Sequence, residues 1–217
     1  DPFFVADPEG FFVAEKDGKP VVSITAVRYG AGFGFIGLYI VAPGQRGHGY
    51  GHHLWSRALH HLEGRLTGLD AVLTQQENYG RSGFRTAYKS LRFQAEGGGQ
   101  RPEQARALTD ADVAAALALD RETFPEERGA FLKAWLTAPG ATALAVDGTK
   151  GLAGFGVLRP CGQGHKIGPL SARDTDTAEA LFKGLCAAAQ KGPVFLDVPA
   201  PNTAGMALAE KHRLKPV

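Results

Sequence analysis

The second half of this 217-residue chain repeats the pattern of its first half. Residues 11–15 (FFVAE) lead through the turn sequence KDGKP into residues 21–29 (VVSITAVRY), and the alternating apolar positions predict a β-hairpin. Residues 141–160 predict a second hairpin, again with an Asp-Gly turn. A strand, a loop and an amphipathic helix follow each hairpin, at residues 35–59 and 165–185. We therefore expect two copies of one α/β unit, each of about 100 residues.

A stretch of linker composition separates the two copies. Residues 95–104 (AEGGGQRPEQ) are polar and rich in glycine. We therefore predict a first domain over residues 1–94, a linker over residues 95–104 and a second domain over residues 105–217.

Apolar patterning predicts the remaining elements of the first copy. Residues 33–42 are nearly all apolar, which is typical of a strand covered on both faces. We expect a further strand near residues 69–75, a short helix near 77–83 and a last strand through 84–93. The stripe that marks the intervening helix consists of Leu54, Trp55, Ala58, Leu59 and Leu62. In the second copy, residues 193–214 supply the matching strand and helix.

Composition excludes several classes of partner. The chain has 24 basic and 22 acidic residues, interspersed along its length, and a net charge of +2, so nucleic acid is not expected to bind. No apolar run approaches the roughly 20 residues of a membrane span. The two cysteines, Cys161 and Cys186, lie in no metal-binding or disulfide pattern. We therefore expect a cytoplasmic protein that binds no membrane. We also expect no metal, because His48 and His52 are four residues apart but have no third ligand at a matching spacing.

The loop between the first copy's strand and helix carries the strongest chemical signal. In VAPGQRGHGYG, residues 41–51, glycines recur at Gly47, Gly49 and Gly51. Glycine allows positive φ and close approach of backbone amides to a ligand, and the following helix N-terminus attracts phosphate. The loop is neither a P-loop nor a dinucleotide fingerprint, because it lacks a following Gly-Lys-Ser/Thr and a spaced third glycine. It predicts a pyrophosphate-binding cradle.

This loop resembles the V-x-P-x-x-R/Q-x-x-G-x-G/A signature of the GNAT family of N-acetyltransferases. Val41, Pro43, Arg46, Gly49 and Gly51 fall on the matching positions. The resemblance implies an α/β (α+β) fold of two tandem GNAT-like units, each a mixed, mostly antiparallel sheet flanked by helices. It implies that the loop amides bind the pyrophosphate of acetyl-CoA and that the preceding strand, splayed from its neighbour, pairs with the pantetheine arm. The amide of Ile40 or of a neighbour would polarise the thioester carbonyl.

The predicted acetyl-CoA contacts extend beyond the glycines. In a phosphate-binding loop, the Arg46 guanidinium can form charge-assisted hydrogen bonds with phosphate oxygens. Alternatively, Arg46 only covers part of the protein surface. The complete set of predicted contacts is Tyr39, Ile40, Val41, Arg46, Gly47, His48, Gly49, Tyr50, Gly51, His52, Asn78 and Ser82.

A second family feature follows at YGRSGF, residues 79–84. It resembles the family's Y-x-x-x-G-F motif and implies that Tyr79 protonates the departing CoA thiolate. Alternatively, Tyr79 is a half-buried aromatic residue that packs in the fold and has its hydroxyl in contact with water. Val72 stands where the family often has an asparagine, so Asn78 is either a CoA contact or a helix cap.

The second copy departs from the family at its loop. Its residues 171–179 (SARDTDTAE) contain no glycine, and Asp174 and Asp176 would repel a pyrophosphate. Asn202 fits the family's asparagine, but Ala209 replaces the tyrosine. We expect a degenerate domain that binds no cofactor and shapes the acceptor site. Compared with the complete family fold, the first copy looks truncated at its start, and the second stops before the final strand.

The resemblance implies direct transfer of an acetyl group to a primary amine while both substrates are bound. Glu77 and Asp70 are candidate bases, and Asp197 is either a base, an attractor for a cationic amine or a structural carboxylate. An acceptor pocket enclosed by two copies favours a small-molecule amine. The alternatives are a non-catalytic acyl-CoA-binding or regulatory module, and an N-acetyltransferase acting on a protein lysine or N-terminus.

Overall fold

The computed structural model describes residues 1–217 as two compact units. The first unit contains residues 1–85 and 124–134, and the second contains residues 86–123 and 135–217. This division differs from the predicted boundary at residues 95–104. None of the helices combines the length and the apolar content that a bilayer span requires.

Hydrogen bonding explains why the boundary lies earlier in the chain than predicted. The strand Ser90–Glu96 pairs with strands of the second unit rather than the first. The amide of Gly97 donates to the carbonyl oxygen of Gly192 over 2.8 Å, and that of Gly98 donates to Cys186 over 2.7 Å. The expected linker is therefore built into the second unit.

The first unit is a four-stranded sheet with helices. Its elements are α1 (Pro2–Ala6), β1 (Phe11–Lys16), β2 (Lys19–Tyr29), β3 (Phe33–Val41), α2 (Tyr50–His61), β4 (Leu66–Leu69) and α3 (Gln76–Arg81). The strands lie in the order β1-β2-β3-β4, and only β3 and β4 run parallel, as the predicted mixed, mostly antiparallel sheet requires.

The core of the first unit forms between α2 and the central strands. Ile24 and Ile36 meet Trp55, Ala58 and Leu62, and all five are buried. The three residues of the helical segment are spaced three and four apart, so they share one face, and the predicted apolar stripe is confirmed.

A buried ion cluster ties the N-terminal segment to this core. The Asp7 carboxylate accepts hydrogen bonds from the Arg28 guanidinium at 2.8 and 2.9 Å and lies 2.9 Å from Nε2 of His61. Burial opposes ionisation of Asp7, but the hydrogen bonds from Arg28 and His61 outweigh it and hold its pKa at about 2. The carboxylate is thus charged and fully paired.

Three expectations for the first copy are wrong in detail. The strand expected at residues 69–75 is β4, which ends at Leu69, and Val72 and Leu73 beyond it are 65% and 78% exposed. Residues 84–89 form no strand. β3 is not covered on both faces along its whole length, since Leu38 and Ile40 are 60% and 58% exposed. The apolar sequence resembles that of a strand buried on both faces, but these side chains are exposed.

The second unit contains a seven-stranded sheet and helices. Its elements are β5 (Ser90–Glu96), β6 (Arg106–Ala107), α4 (Val113–Arg121), the end of α5 (Gly129–Leu136), β7 (Thr142–Gly148), β8 (Gly151–Pro160), β9 (His165–Ala172), α6 (Thr175–Ala188), β10 (Pro193–Pro199), α7 (Thr203–Lys211) and β11 (Lys215–Pro216). The strands lie in the order β11-β5-β10-β9-β8-β7-β6, with one parallel pair, β9 and β10.

The sheet registers confirm the duplication. The parallel pairing of β3 with β4 ends at Ile36 and Leu69, and that of β9 with β10 ends at Ile167 and Leu196. An Ile-Gly pair stands at this point in both units. In each unit the preceding antiparallel pair also has a register shift beside that Ile-Gly pair.

The core of the first unit gives a stability prediction. Leu62 is 2% exposed, so Leu62→Ala should lower the free energy of unfolding of this unit by about 2–5 kcal/mol through lost burial and a residual cavity. Urea unfolding followed by tryptophan fluorescence measures this change. The matched control is Leu66→Ala, at a residue 70% exposed, which should cost less than about 0.5 kcal/mol. Equal losses in both variants would contradict the assignment of Leu62 to the core.

Candidate functional site

The glycine loop has a backbone that only glycine adopts without strain. After β3 a short 3-10 turn, Pro43–Gln45, leads to Gly47 and Gly49, whose φ angles are 80° and 82°. A Cβ added at either glycine would meet no atom within 4 Å. Left-handed φ therefore explains the glycines, and the open space beside them leaves the loop backbone accessible to a ligand.

The loop ends at a helix N-terminus that no side chain caps. Gly49 is the N-cap residue of α2, it makes no side-chain capping bond, and the first turn contains no acidic residue. The first amides of the helix therefore lack helical partners and present partial positive charge. The equivalent helix α6 is different, because the Asp174 carboxylate accepts a 2.7 Å hydrogen bond from the Thr177 amide and Asp176 lies in the first turn.

The segment that contains the loop carries no acidic side chain. Residues 33–62 contain no aspartate or glutamate. Nε of Arg46 donates to the carbonyl oxygen of Val41 over 3.3 Å, and Nδ1 of His48 lies 3.0 Å from the carbonyl oxygen of Arg46. Arg46 thus braces the loop against the end of β3. No three His, Cys, Asp or Glu side chains are grouped so as to hold a metal ion.

The second half of β3 has an open edge. It pairs with β2 as far as Val41, but its pairing with β4 on the other side ends at Ile36. Backbone groups that face away from β2 beyond Ile36 therefore have no strand partner, which is the splay implied for the family fold. An extended ligand with amide groups can pair with such an edge.

A β-bulge reshapes this edge. The register passes from Thr25 opposite Gly37 to Ser23 opposite Ile40, so one residue of β2 faces two of β3. Leu38, at the bulge, has a φ of 48°, and its carbonyl oxygen accepts a 3.1 Å hydrogen bond from the Ser23 hydroxyl. Sequence reasoning missed this bulge, although the Ile-Gly pair repeated in both copies was a signal for it.

Tyr39 and Tyr79 meet in one aromatic cluster. Their rings lie 5.5 and 5.4 Å from that of Trp55, and Phe84 also contacts Tyr79. The side chain of Tyr39 thus packs towards α2, while its backbone belongs to the open strand. Burial raises the pKa of both phenols, and the nearby Tyr79 raises the pKa of Tyr39 further. Tyr79 is therefore protonated at neutral pH and able to donate a proton.

The other residues predicted on α3 do not all face the same way. Glu77 and Tyr79 are two positions apart, so their side chains leave the helix about 200° apart. Tyr79 packs inward and Glu77 is exposed. Asn78 Nδ2 donates to Gln75 Oε1 over 2.6 Å, and Gln75, not Asn78, is the N-cap residue. Ser82 is the exposed C-cap residue of this helix.

Two carboxylates considered as bases have contrasting surroundings. Asp70 is exposed and directly follows β4. Asp197, on β10, accepts hydrogen bonds from Arg92 at 2.7 and 2.9 Å and from Lys166 at 2.6 Å. Those bonds, led by that from Arg92, hold the pKa of Asp197 at about 2 in spite of burial. This carboxylate is suited to cross-linking strands, and it is a weak base.

The fold and the uncapped glycine loop define a duplicated α/β protein with an anion-attracting helix N-terminus in its first unit, and comparison with known proteins gives its family. Residues 1–84 match the sequence profile of the Acetyltransferase (GNAT) family, and residues 116–217 match that of an Acetyltransferase (GNAT) domain. Holothin acyltransferase from Pseudoalteromonas sp. (strain SANK 73390) is 31% identical over 200 residues, which cover 91% of this chain and 68% of that protein. The chain belongs to the GNAT family, and it is a tandem GNAT-type acyltransferase.

Solved structures share its fold. A candidate acetyltransferase from Pyrococcus horikoshii superposes with a TM-score of 0.84 at 22% identity, over 100% of this chain and 73% of that one. A tandem GNAT protein from the clavulanic acid biosynthesis pathway gives a TM-score of 0.62 at 16% identity, over 96% and 81% of the two chains.

The close contact between α2 and β3 predicts that a helical Gly→Ala substitution, which usually stabilises a protein, is destabilising at Gly51. A Cβ at Gly51 would lie 2.7 Å from Tyr39 Oη and 3.0 Å from Val41 Cγ2, so Gly51→Ala should destabilise the protein by about 1–3 kcal/mol. Helical Gly→Ala changes without a clash instead stabilise by about 0.5–1 kcal/mol. Gly80→Ala, on α3 with no atom within 4 Å of its Cβ, is the matched control. Thermal unfolding measures both variants, and a stabilised Gly51→Ala would contradict the contact.

Proposed function

We propose that the first unit binds acetyl-CoA and transfers its acetyl group directly to a primary amine of a small molecule. The observation that carries the proposal is the glycine loop, where open backbone at Gly47 and Gly49 meets an uncapped helix N-terminus with no acidic residue in its first turn. Amides and the helix dipole at such a terminus bind phosphate. The name of the holothin relative supports acyl transfer as the reaction.

The open edge of β3 is the proposed binding site for the pantetheine arm and the thioester of acetyl-CoA. The pantetheine arm contains amides, which would pair with the backbone from Tyr39 to Val41. The exposed apolar side chains of Leu38 and Ile40 flank this edge. An amide of the same stretch, that of Ile40 or a neighbour, would donate to the thioester oxygen as negative charge develops on it.

Transfer then needs three proton movements. The acceptor ammonium first loses a proton to a base, a role that we assign to Asp70, which is exposed and next to the end of β4. Glu77, also exposed but on the side of α3 away from Tyr79, is the other candidate with access to water. The neutral amine attacks the thioester carbonyl, the C–N bond forms, and the C–S bond breaks. The thiolate takes a proton from Tyr79, and the extra proton of the new amide nitrogen passes through water to the Tyr79 phenolate, which restores the acid.

Titration calorimetry with acetyl-CoA tests the loop. The wild type should bind, and Gly49→Glu should abolish measurable binding because it places bulk, strain and negative charge in the cradle. The matched control is Gly64→Glu, at a glycine with φ of 79° and equally open surroundings after α2. Gly64→Glu should bind as the wild type does. No binding by the wild type, or equal loss in both variants, would reject the site.

Release of CoA thiol then tests catalysis. A panel of small amines beside a lysine peptide should show turnover with a small amine. Binding of acetyl-CoA without thiol release from any acceptor would favour the non-catalytic module, and release with the peptide alone would favour a protein acceptor.

Tyr79→Phe tests the proposed acid. Loss of the hydroxyl should lower kcat by roughly a hundredfold, while the affinity for acetyl-CoA stays within about twofold. Tyr88→Phe, at an exposed tyrosine, is the control and should leave both quantities unchanged. An unaltered kcat in Tyr79→Phe would assign Tyr79 to packing alone.

A further inference from the structure

Lys16 lies at the tip of the β1–β2 hairpin, which reaches beyond the end of β3. Val22 is opposite Val41, the last residue of β3, and Lys16 is opposite Lys19. At about 3.3 Å per residue, the three residues from Val22 back to Lys19 carry the hairpin about 10 Å past that end. This direction is the one in which the chain leaves β3 towards the glycine loop.

The Lys16 ammonium is found beside the N-terminus of α2. Its Nζ atom lies 5.7 Å from the centroid of the Tyr50 ring, a cation–π distance. Tyr50 is the first residue of the helix and follows Gly49. The ring of Tyr50 also stacks with His48 at 6.0 Å and an interplanar angle of 14°. A side chain distant in sequence thus meets Tyr50, and through the Tyr50 ring it is linked to His48 in the loop.

The charge of Lys16 is not neutralised there. No carboxylate forms an ion pair with Lys16, and residues 33–62 supply none. Glu15 and Asp17, the neighbours of Lys16 along the chain, are exposed and form no ion pair with it. The ammonium and the uncapped N-terminus of α2 therefore lie beside each other with neither held by a carboxylate, and an anion placed between them would be attracted by both.

We propose that Lys16 is a further phosphate-binding residue of this site, one that supplements the loop amides by direct attraction to a phosphate group of acyl-CoA. The proposal rests on the proposed function, since it takes acyl-CoA as the ligand. Lysine suits this role because its ammonium is a point charge on a flexible stem, which can leave the Tyr50 ring to meet a phosphate. That phosphate is either the pyrophosphate or the 3′-phosphate of the nucleotide.

Lys16→Met tests the role of the charge, because methionine keeps an unbranched apolar stem over Tyr50. Calorimetry with acetyl-CoA should show affinity reduced roughly fivefold, and the difference from wild type should shrink as salt is raised. Lys16→Arg should retain most of the affinity. The control is Lys150→Met, at the turn of the β7–β8 hairpin in the second unit, which should bind as the wild type does.

Acetyl-dephospho-CoA distinguishes the two phosphates. A reduction in affinity that persists with this ligand assigns Lys16 to the pyrophosphate, and one that disappears assigns it to the 3′-phosphate. Unchanged affinity of Lys16→Met for acetyl-CoA, or a reduction that salt does not alter and arginine does not rescue, would overturn the proposal. Failure of the wild type to bind acetyl-CoA would instead reject the proposed function itself.

Discussion

The early end of pairing between the two parallel strands is the constraint on which the first unit's candidate site depends. β4 stops at Leu69, so β3 continues beyond Ile36 with one edge unpaired. Backbone groups on such an edge need water or a ligand as partners. The bulge at Leu38 and the exposed side chains of Leu38 and Ile40 lie on this same free stretch. An open edge, which usually invites aggregation, is short here and leads directly into the glycine loop.

The two units share this backbone arrangement and differ at the start of the helix that follows it. Both separate their parallel strands after an isoleucine, and both then start a long helix. The difference is electrostatic. The N-terminus of α2 is left open by Gly49, whereas Asp174 supplies α6 with its own carboxylate, which occupies the amide that an anion would use. The N-terminus of α2 in the first copy can therefore attract an anion, whereas the N-terminus of α6 in the second copy is already capped by its own aspartate.

Local signals in the sequence predicted local structure well. The hairpins, the apolar stripe of α2 and the glycine loop each depend on residues within a few positions of one another. Partners across strands were not predictable, because register depends on distant segments. The sequence therefore misplaced the strand at residues 90–96 and did not reveal that Arg92 stands opposite Asp197. Val72 and Leu73 led to a wrong prediction for a related reason, since an exposed apolar pair has the same local sequence pattern as a pair in a buried strand.

The surroundings of the carboxylates narrow the choice of base. A base must accept a proton near neutral pH, and the pKa of Asp197, at about 2, lies roughly five units below that. Its lowered pKa means that its ion pairs stabilise the fold above the unfolded-state pKa of about 3.9 and lose that contribution as pH falls through 2. The ion pairs of Asp197 with Arg92 and Lys166 thus favour a structural role for this carboxylate. For the proposed reaction a water-accessible carboxylate is the better candidate, and Asp70, exposed at the end of β4 where the parallel strands separate, is such a group.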